Sequence, residues 1–212
     1  MEDWKRWISV RAYGLVTSLL FGAHTPPARM RARFARMAQG RATLQRKHPG
    51  LTFQDHRCGA LDIEAVRAQA EPQRSLVHLH GGAFVFGCPA SYRNRAMRLS
   101  HRCQAEVFVP AYRLAPEHPF PAALDDAVRA IEHVRALHPR RPLFLSGDSA
   151  GGALALSALL RLRERGRSPV QGALLLSPWT DLSVSGGSVD TKAGQDRWFT
   201  RAHLEQWAGY YR

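Results

Sequence analysis

Leu143-Phe144-Leu145-Ser146-Gly147-Asp148-Ser149-Ala150-Gly151-Gly152 is the stretch on which the reading of this chain turns. Its apolar opening suits a buried strand, and its cluster of small residues suits a sharp turn. The alanine- and leucine-rich run that follows, to about Arg165, predicts a helix. The same cycle recurs on both sides. Upstream, Ser75 to His80 is an apolar strand that ends at Gly81-Gly82, followed by a predicted helix from Tyr92 to Cys103 and a strand from Glu106 to Val109. A proline-rich loop then leads to a helix from Pro121 to about Leu137, with Pro121 suited to its first turn and Asp125 and Asp126 near its positive end. Downstream, beyond Gly166, Ala173 to Leu176 is a fully apolar strand ending at Ser177-Pro178, the kind of run that a sheet covered on both faces requires.

Strands alternating with helices predict an α/β architecture: a mostly parallel sheet with right-handed crossovers and helices on both faces. Short strands are also expected at Leu51 to Phe53 and Leu61 to Val66, around Cys58-Gly59. With 212 residues, 45% of them hydrophobic, the chain can bury one sizeable core, and disordered or fibrous classes are excluded. We expect a single domain over residues 1–212, with a helical cap segment at 1–48, the sheet core at 49–179 and a second cap segment at 180–212. Both flanking segments lie outside the alternation and are candidates for a lid.

Thirty lysines and arginines against 17 acids leave a formal charge of +13. Seven of those cations (Arg29, Arg31, Arg33, Arg36, Arg41, Arg46 and Lys47) share one stretch with Met30, Phe34, Met37 and Leu44 at near-helical spacing. This predicts a basic amphipathic helix laid on the body with its cations in water. No nucleic-acid recognition motif accompanies the charge, so no nucleic-acid partner is expected. The apolar segment from Ala12 to Ala23 is too short to span a bilayer, and Trp4, Ile8, Ala12, Leu15 and Leu19 recur at helical spacing, so packing on the protein is expected and stable membrane insertion is not. Cys58, Cys88 and Cys103 are odd in number and lack C-x-x-C spacing, which points to a reducing cytoplasm and to neither a disulfide framework nor a metal site. Self-association is left open.

Gly147-Asp148-Ser149-Ala150-Gly151 fits G-x-S-x-G between a predicted strand and a predicted helix, the setting in which a serine hydroxyl is thrust out of the sheet for nucleophilic attack. A glycine-flanked serine at a helix start also serves as a plain cap; the full pattern in this position favours the nucleophile. His80-Gly81-Gly82-Ala83 closes the earlier strand, and such a turn either presents backbone N–H groups to a ligand oxygen or simply ends the strand. The two motifs explain each other.

Three segments carry a specific resemblance: His80-Gly-Gly-Ala83 with Phe84 and Gly87, Tyr112-Arg-Leu-Ala-Pro-Glu-His-Pro-Phe-Pro-Ala-Ala-Leu-Asp-Asp126, and Gly147-Asp-Ser-Ala-Gly-Gly152. Ser177-Pro-Trp-Thr-Asp-Leu182 agrees with them. The sequence resembles the hormone-sensitive-lipase-like branch of the α/β hydrolases, a family of carboxylesterases and lipases, closely over about residues 75–182. The resemblance implies an α/β-hydrolase fold without cofactor or metal, hydrolysing small acyl esters through an acyl-enzyme. It implies Ser149 as nucleophile and the N–H groups of Gly81, Gly82 and Ala150 as the oxyanion hole, with His80, Ala83, Gly147, Asp148 and Gly151 supporting the motifs. Ala83 replaces the third glycine of the family pattern and is expected to affect substrate choice through the acyl side of the pocket.

In this family the triad acid and histidine follow the serine on loops after later strands. Beyond Ser149 the sequence offers only His203 and the acids Glu164, Asp181, Asp190, Asp196 and Glu205. His203 is expected as a solvated or capping residue of a helix and Asp181 as structural, so triad acid and histidine are both expected to be absent from a C-terminally incomplete chain. Negligible turnover of short p-nitrophenyl esters follows. The alternative is a non-catalytic relative of the same fold that binds small ligands.

Overall fold

The computed structural model describes residues 25–167, 169–193, 195–196 and 199–212. The expected helix around Trp4 to Leu19 lies outside the described residues. Helices α1 (Pro27–Met37) and α2 (Arg41–Lys47) precede a sheet of six strands, β1 (Thr52–Cys58), β2 (Leu61–Arg67), β3 (Arg74–Leu79), β4 (Ala105–Pro110), β5 (Leu143–Asp148) and β6 (Gly172–Leu176). Between them run α3 (Pro89–Cys103), α4 (Ala122–Leu137) and α5 (Ala150–Glu164), and α6 (Ser188–Thr191) and α7 (Arg201–Tyr211) follow. The strand order is β1-β2-β4-β3-β5-β6. β1, β2 and β4 pair antiparallel, whereas β4, β3, β5 and β6 are parallel.

Period-two side-chain alternation divides the core. Val77, Leu79, Phe108, Leu143 and Leu145 point to the face covered by α4 and α5, where they meet Leu124, Val128, Ile131 and Leu154. Each such side chain contributes about 1.5–3 kcal/mol by leaving water. Leu76, Val107, Val109 and Phe144 point to the opposite face, against α3 and Leu44 of α2. Helices thus lie on both faces of a mostly parallel sheet, as the alternation predicts.

Three expectations are corrected. The basic segment is two helices rather than one, because Ala38 takes an extended ψ of 130° and Gly40, with ψ 148°, starts a second helix. Its cations are not all in water. Arg31 donates to the carbonyls of Val85 (2.7 Å) and Ala115 (2.6 Å) and pairs with Glu117, and Arg41 bridges Asp55 and the buried Glu64, which Arg93 also holds at 2.8 Å. A buried carboxylate on β2 therefore recruits part of the positive charge. β1 runs the whole length from Thr52 to Cys58, although its polar sequence predicts only a short start. Among the described residues β6, apolar throughout, is the edge of the sheet, with Leu174 52% and Leu176 42% exposed. A cleft beside it, lined by Leu76, Leu99, Phe144 and Leu174, runs over the sheet face next to α3.

Candidate active site

β5 ends at Asp148 and α5 begins at Ala150, leaving Ser149 to make the entire turn with φ 53° and ψ −123°. That conformation is costly for a residue with a Cβ and persists only where the surroundings impose it. They do so here from β6. The Ser149 N–H donates to the Leu176 carbonyl (2.9 Å), and the Ser149 carbonyl accepts from the amides of Gly152 (3.0 Å), Ala153 (3.1 Å) and Trp179 (3.0 Å). Gly151 permits the tight approach of β3: a Cβ there would lie 2.1 Å from the Leu79 carbonyl oxygen and 2.4 Å from that of His80. Ser149 is half-buried, and its hydroxyl makes no hydrogen bond among the described residues and is not sealed from solvent.

The segment from His80 to Gly87 lies against this elbow. Gly82 has φ 131°, and a Cβ on it would fall 2.0 Å from the Phe86 carbonyl oxygen, so the turn admits no other residue without rebuilding. Ala83 and Phe84 follow at φ 53° and 62°. A Cβ built on Gly81 would come within 3.0 Å of the Asp148 carbonyl oxygen, which brings the glycine turn and the serine elbow into contact. The N–H groups of Gly82, Ala83 and Ala150 donate to no group among the described residues. The N–H of Gly81 is different: it donates to the Tyr92 hydroxyl at 2.8 Å, and that hydroxyl donates to Asp148 Oδ2 at 2.9 Å.

Burial sets the protonation of the surrounding groups. His80 is wholly buried, and burial pushes its imidazole down to about 4. It is neutral at pH 7, with Nδ1 2.9 Å from the Gly81 carbonyl and its ring stacked on Tyr112. The Tyr112 hydroxyl donates to the His80 carbonyl (2.6 Å). Tyr92 is likewise driven far up, by burial first and then by the Asp148 charge, and remains a phenol. Burial alone would raise Asp148; the nearby His78, Arg95 and Tyr92 outweigh it and hold the carboxyl below its ordinary value. Arg95 lies 3.1 Å from Oδ1 and His78 Nε2 approaches the same oxygen at 3.5 Å.

The flanking segments converge on the residues that follow the glycine turn. Phe34 of α1 stacks on Phe86 (4.9 Å), Trp207 of α7 meets Phe86 edge-on (5.8 Å) and Tyr211 stacks on Phe84 (3.8 Å). His203 caps α7: its Nδ1 accepts from the Thr200 N–H (3.3 Å), and its ring stacks on Trp207. The Asp181 carboxylate is taken up by Ser183 and Ser185 in its own loop, which holds it well below the usual range. The structure therefore brings Ser149, Asp148, Ala150 and Gly151 together with His80, Gly81 and Gly82. It does not bring His203 or Asp181 into that group. Tyr92, Arg95 and His78 were missed from sequence, because only the fold places them beside Asp148.

No helix among the described residues is long and apolar enough to cross a membrane. Residues 76–212 match the α/β-hydrolase fold family. An acetyl-hydrolase of Streptomyces hygroscopicus is 37% identical over 155 residues, 72% of this chain and 52% of that protein. An esterase of Acinetobacter venetianus is 34% identical over 146 residues, 68% of this chain and 48% of its own. The chain spans about half the length of these curated relatives. Among solved structures, EstE5 superposes with a TM-score of 0.82 at 29% identity, covering 95% of this chain and 68% of that one. An esterase from the bacterial hormone-sensitive lipase family gives 0.80 at 28%, covering 95% and 67%. A left-handed serine between β5 and α5, the glycine turn packed against it and these likenesses converge: the chain belongs to the α/β-hydrolase fold family, in its hormone-sensitive-lipase-like branch.

Proposed function

We propose that this chain carries the nucleophile and the oxyanion-binding part of a serine carboxylesterase acting on small acyl esters. The observation that carries the proposal is Ser149 itself: a strained residue whose hydroxyl has no partner among the described residues, with the free N–H groups of Ala150 and Gly82 on the two segments that meet at it. The names of the relatives, acetyl-hydrolase and esterase, support the same chemistry. In this reading Ser149 Oγ attacks the ester carbonyl, the oxygen turns negative, and preorganised amides stabilise it where it forms. Collapse of the tetrahedral intermediate expels the alcohol and leaves an acyl-enzyme that water cleaves.

Attack needs a base to accept the serine proton, and delivery of that proton to the leaving alcohol needs the same group as an acid. His80 is neutral but occupied within the glycine turn, and His203 is committed to capping α7. We assign neither as the base and propose that these residues alone support little turnover. The helices before β1 and after β6 serve as cap elements of the same domain, resting on Phe84 and Phe86.

A fluorophosphonate probe tests the proposal, since it needs a single attack by the serine oxygen and no turnover, and alkaline pH supplies the base that these residues lack. Slow phosphonylation mapped to Ser149, faster at alkaline pH and absent in S149A, is expected, with hydrolysis of p-nitrophenyl acetate close to background. Labelling elsewhere, or none even at high probe concentration and alkaline pH, would remove the nucleophile assignment.

A further inference from the structure

We infer that Tyr92 is a positioning residue, which clamps the glycine turn onto the serine elbow and occupies the Gly81 amide, leaving the N–H groups of Gly82, Ala83 and Ala150 as the candidate oxyanion donors. The inference rests on the hydrolase reading of Ser149 and changes the donor set that the sequence pattern implies.

Three observations carry it. The first is a continuous chain of hydrogen bonds, Gly81 N–H to Tyr92 Oη at 2.8 Å and Tyr92 O–H to Asp148 Oδ2 at 2.9 Å. It links the residue after His80 to the residue before Ser149. An N–H satisfied by a phenol oxygen at that distance has no second proton to offer a substrate. The second is the absence of slack. The site of a Cβ on Gly81 lies 2.8 Å from Asp148 Oδ2 and 3.0 Å from Tyr92 Oη, so phenol, carboxylate and glycine are packed without room to rearrange. The third is that the carboxylate is fixed from outside the turn. Arg95, one helical turn along α3 from Tyr92, lies 3.1 Å from Oδ1 with its guanidinium over the Tyr92 ring, and His78 is held by Ser146 at 2.8 Å on the strand beneath.

The clamp sets the separation between Gly82 and Ser149, because Gly81 is bonded covalently to one and through Tyr92 and Asp148 to the other. A small misplacement of an oxyanion donor lowers the rate without altering how the rest of the ligand binds.

Two independent readouts on the chain as it stands test the inference. Amide hydrogen exchange by NMR reads the clamp directly: Gly81 should be protected, and Y92F should accelerate its exchange about tenfold, the equivalent of one hydrogen bond. Fluorophosphonate labelling reads its consequence. Y92F should lower the maximal rate of Ser149 phosphonylation about tenfold at an unchanged half-saturating concentration, with Tm within a few degrees of wild type. In a D148A background, Y92F should have no further effect on that rate, because the link is already cut. Unchanged Gly81 exchange in Y92F, labelling as fast as wild type or faster, or the full Y92F effect persisting in D148A would overturn the clamp while leaving the nucleophile assignment intact. A wild-type chain that resists labelling yet shows accelerated Gly81 exchange in Y92F would overturn the catalytic reading and reduce Tyr92 to a structural contact.

Discussion

The amide of Ser149 is bonded to the carbonyl of Leu176 across 2.9 Å, so the turn at the end of β5 is held by the last residue of the neighbouring strand. Strain at the serine is therefore sustained by β6 as well as by the helix that follows. Replacing Ser149 by glycine should stabilise the protein relative to alanine at the same position by about 1 kcal/mol, since only alanine pays for a Cβ at φ 53°. Urea denaturation of S149G and S149A measures this; equal midpoints would mean that the turn is relaxed.

Gly151 should tolerate no side chain. In G151A the new methyl would meet the Leu79 and His80 carbonyl oxygens at 2.1 and 2.4 Å, backbone atoms at the end of a central strand that cannot swing aside. A loss of about 2 kcal/mol or more is expected, with loss of Ser149 labelling as the elbow is pushed off β3. A thermal melt indistinguishable from wild type would contradict that packing.

Acid should destabilise the fold from just below neutrality through His80. The unfolded chain protonates His80 near its ordinary value of 6.5, whereas burial delays uptake in the folded protein to about 4. Above about pH 6.5 both states are neutral and the group adds no slope. Between the two values the unfolded state binds more protons, so stability falls as pH falls, by roughly 3 kcal/mol at pH 4. Burial also lowers His56 and His138, which act in the same sense. Chemical denaturation from pH 7.5 to 4.5 should show this decline and H80Q a shallower one; an identical slope in H80Q would exclude His80 as a source.

The edge strand should be sticky. Leu174 and Leu176 expose apolar surface beside an open cleft, and β6 has no strand on its outer side among the described residues. L174E should reduce concentration-dependent association in light scattering, with stability within about 0.5 kcal/mol of wild type. Association unaffected by L174E would assign it to another surface.

The parts of the fold that were legible in the sequence are those whose signals are local. Small residues on either side of Ser149 announce the turn, and the runs at Ser75, Glu106 and Leu143 announce buried parallel strands. Only the start of β1 was legible, because Thr52 to Cys58 is largely polar, as an edge strand paired among the described residues only with β2 can be. In β6 four consecutive apolar residues state a preference for burial but not what lies next to them. Tyr92 and Asp148 are 56 residues apart, and nothing in either neighbourhood announces the other. Arg31 and Arg41 looked like two more solvated cations of a basic helix, because the carbonyls and carboxylates they serve come from distant loops and strands.

Arg31 gives those helices a mechanical role. One side chain holds the backbone of Val85, three residues past Gly82, and that of Ala115, in the loop before α4, while its outer edge faces Glu117. A hinge motion of α1 away from the body would have to tear out this rivet and drag on the peptide beside the glycine turn. Helix α1 is thus a fixed wall, and on the proposed esterase reading any gate toward Ser149 has to swing elsewhere.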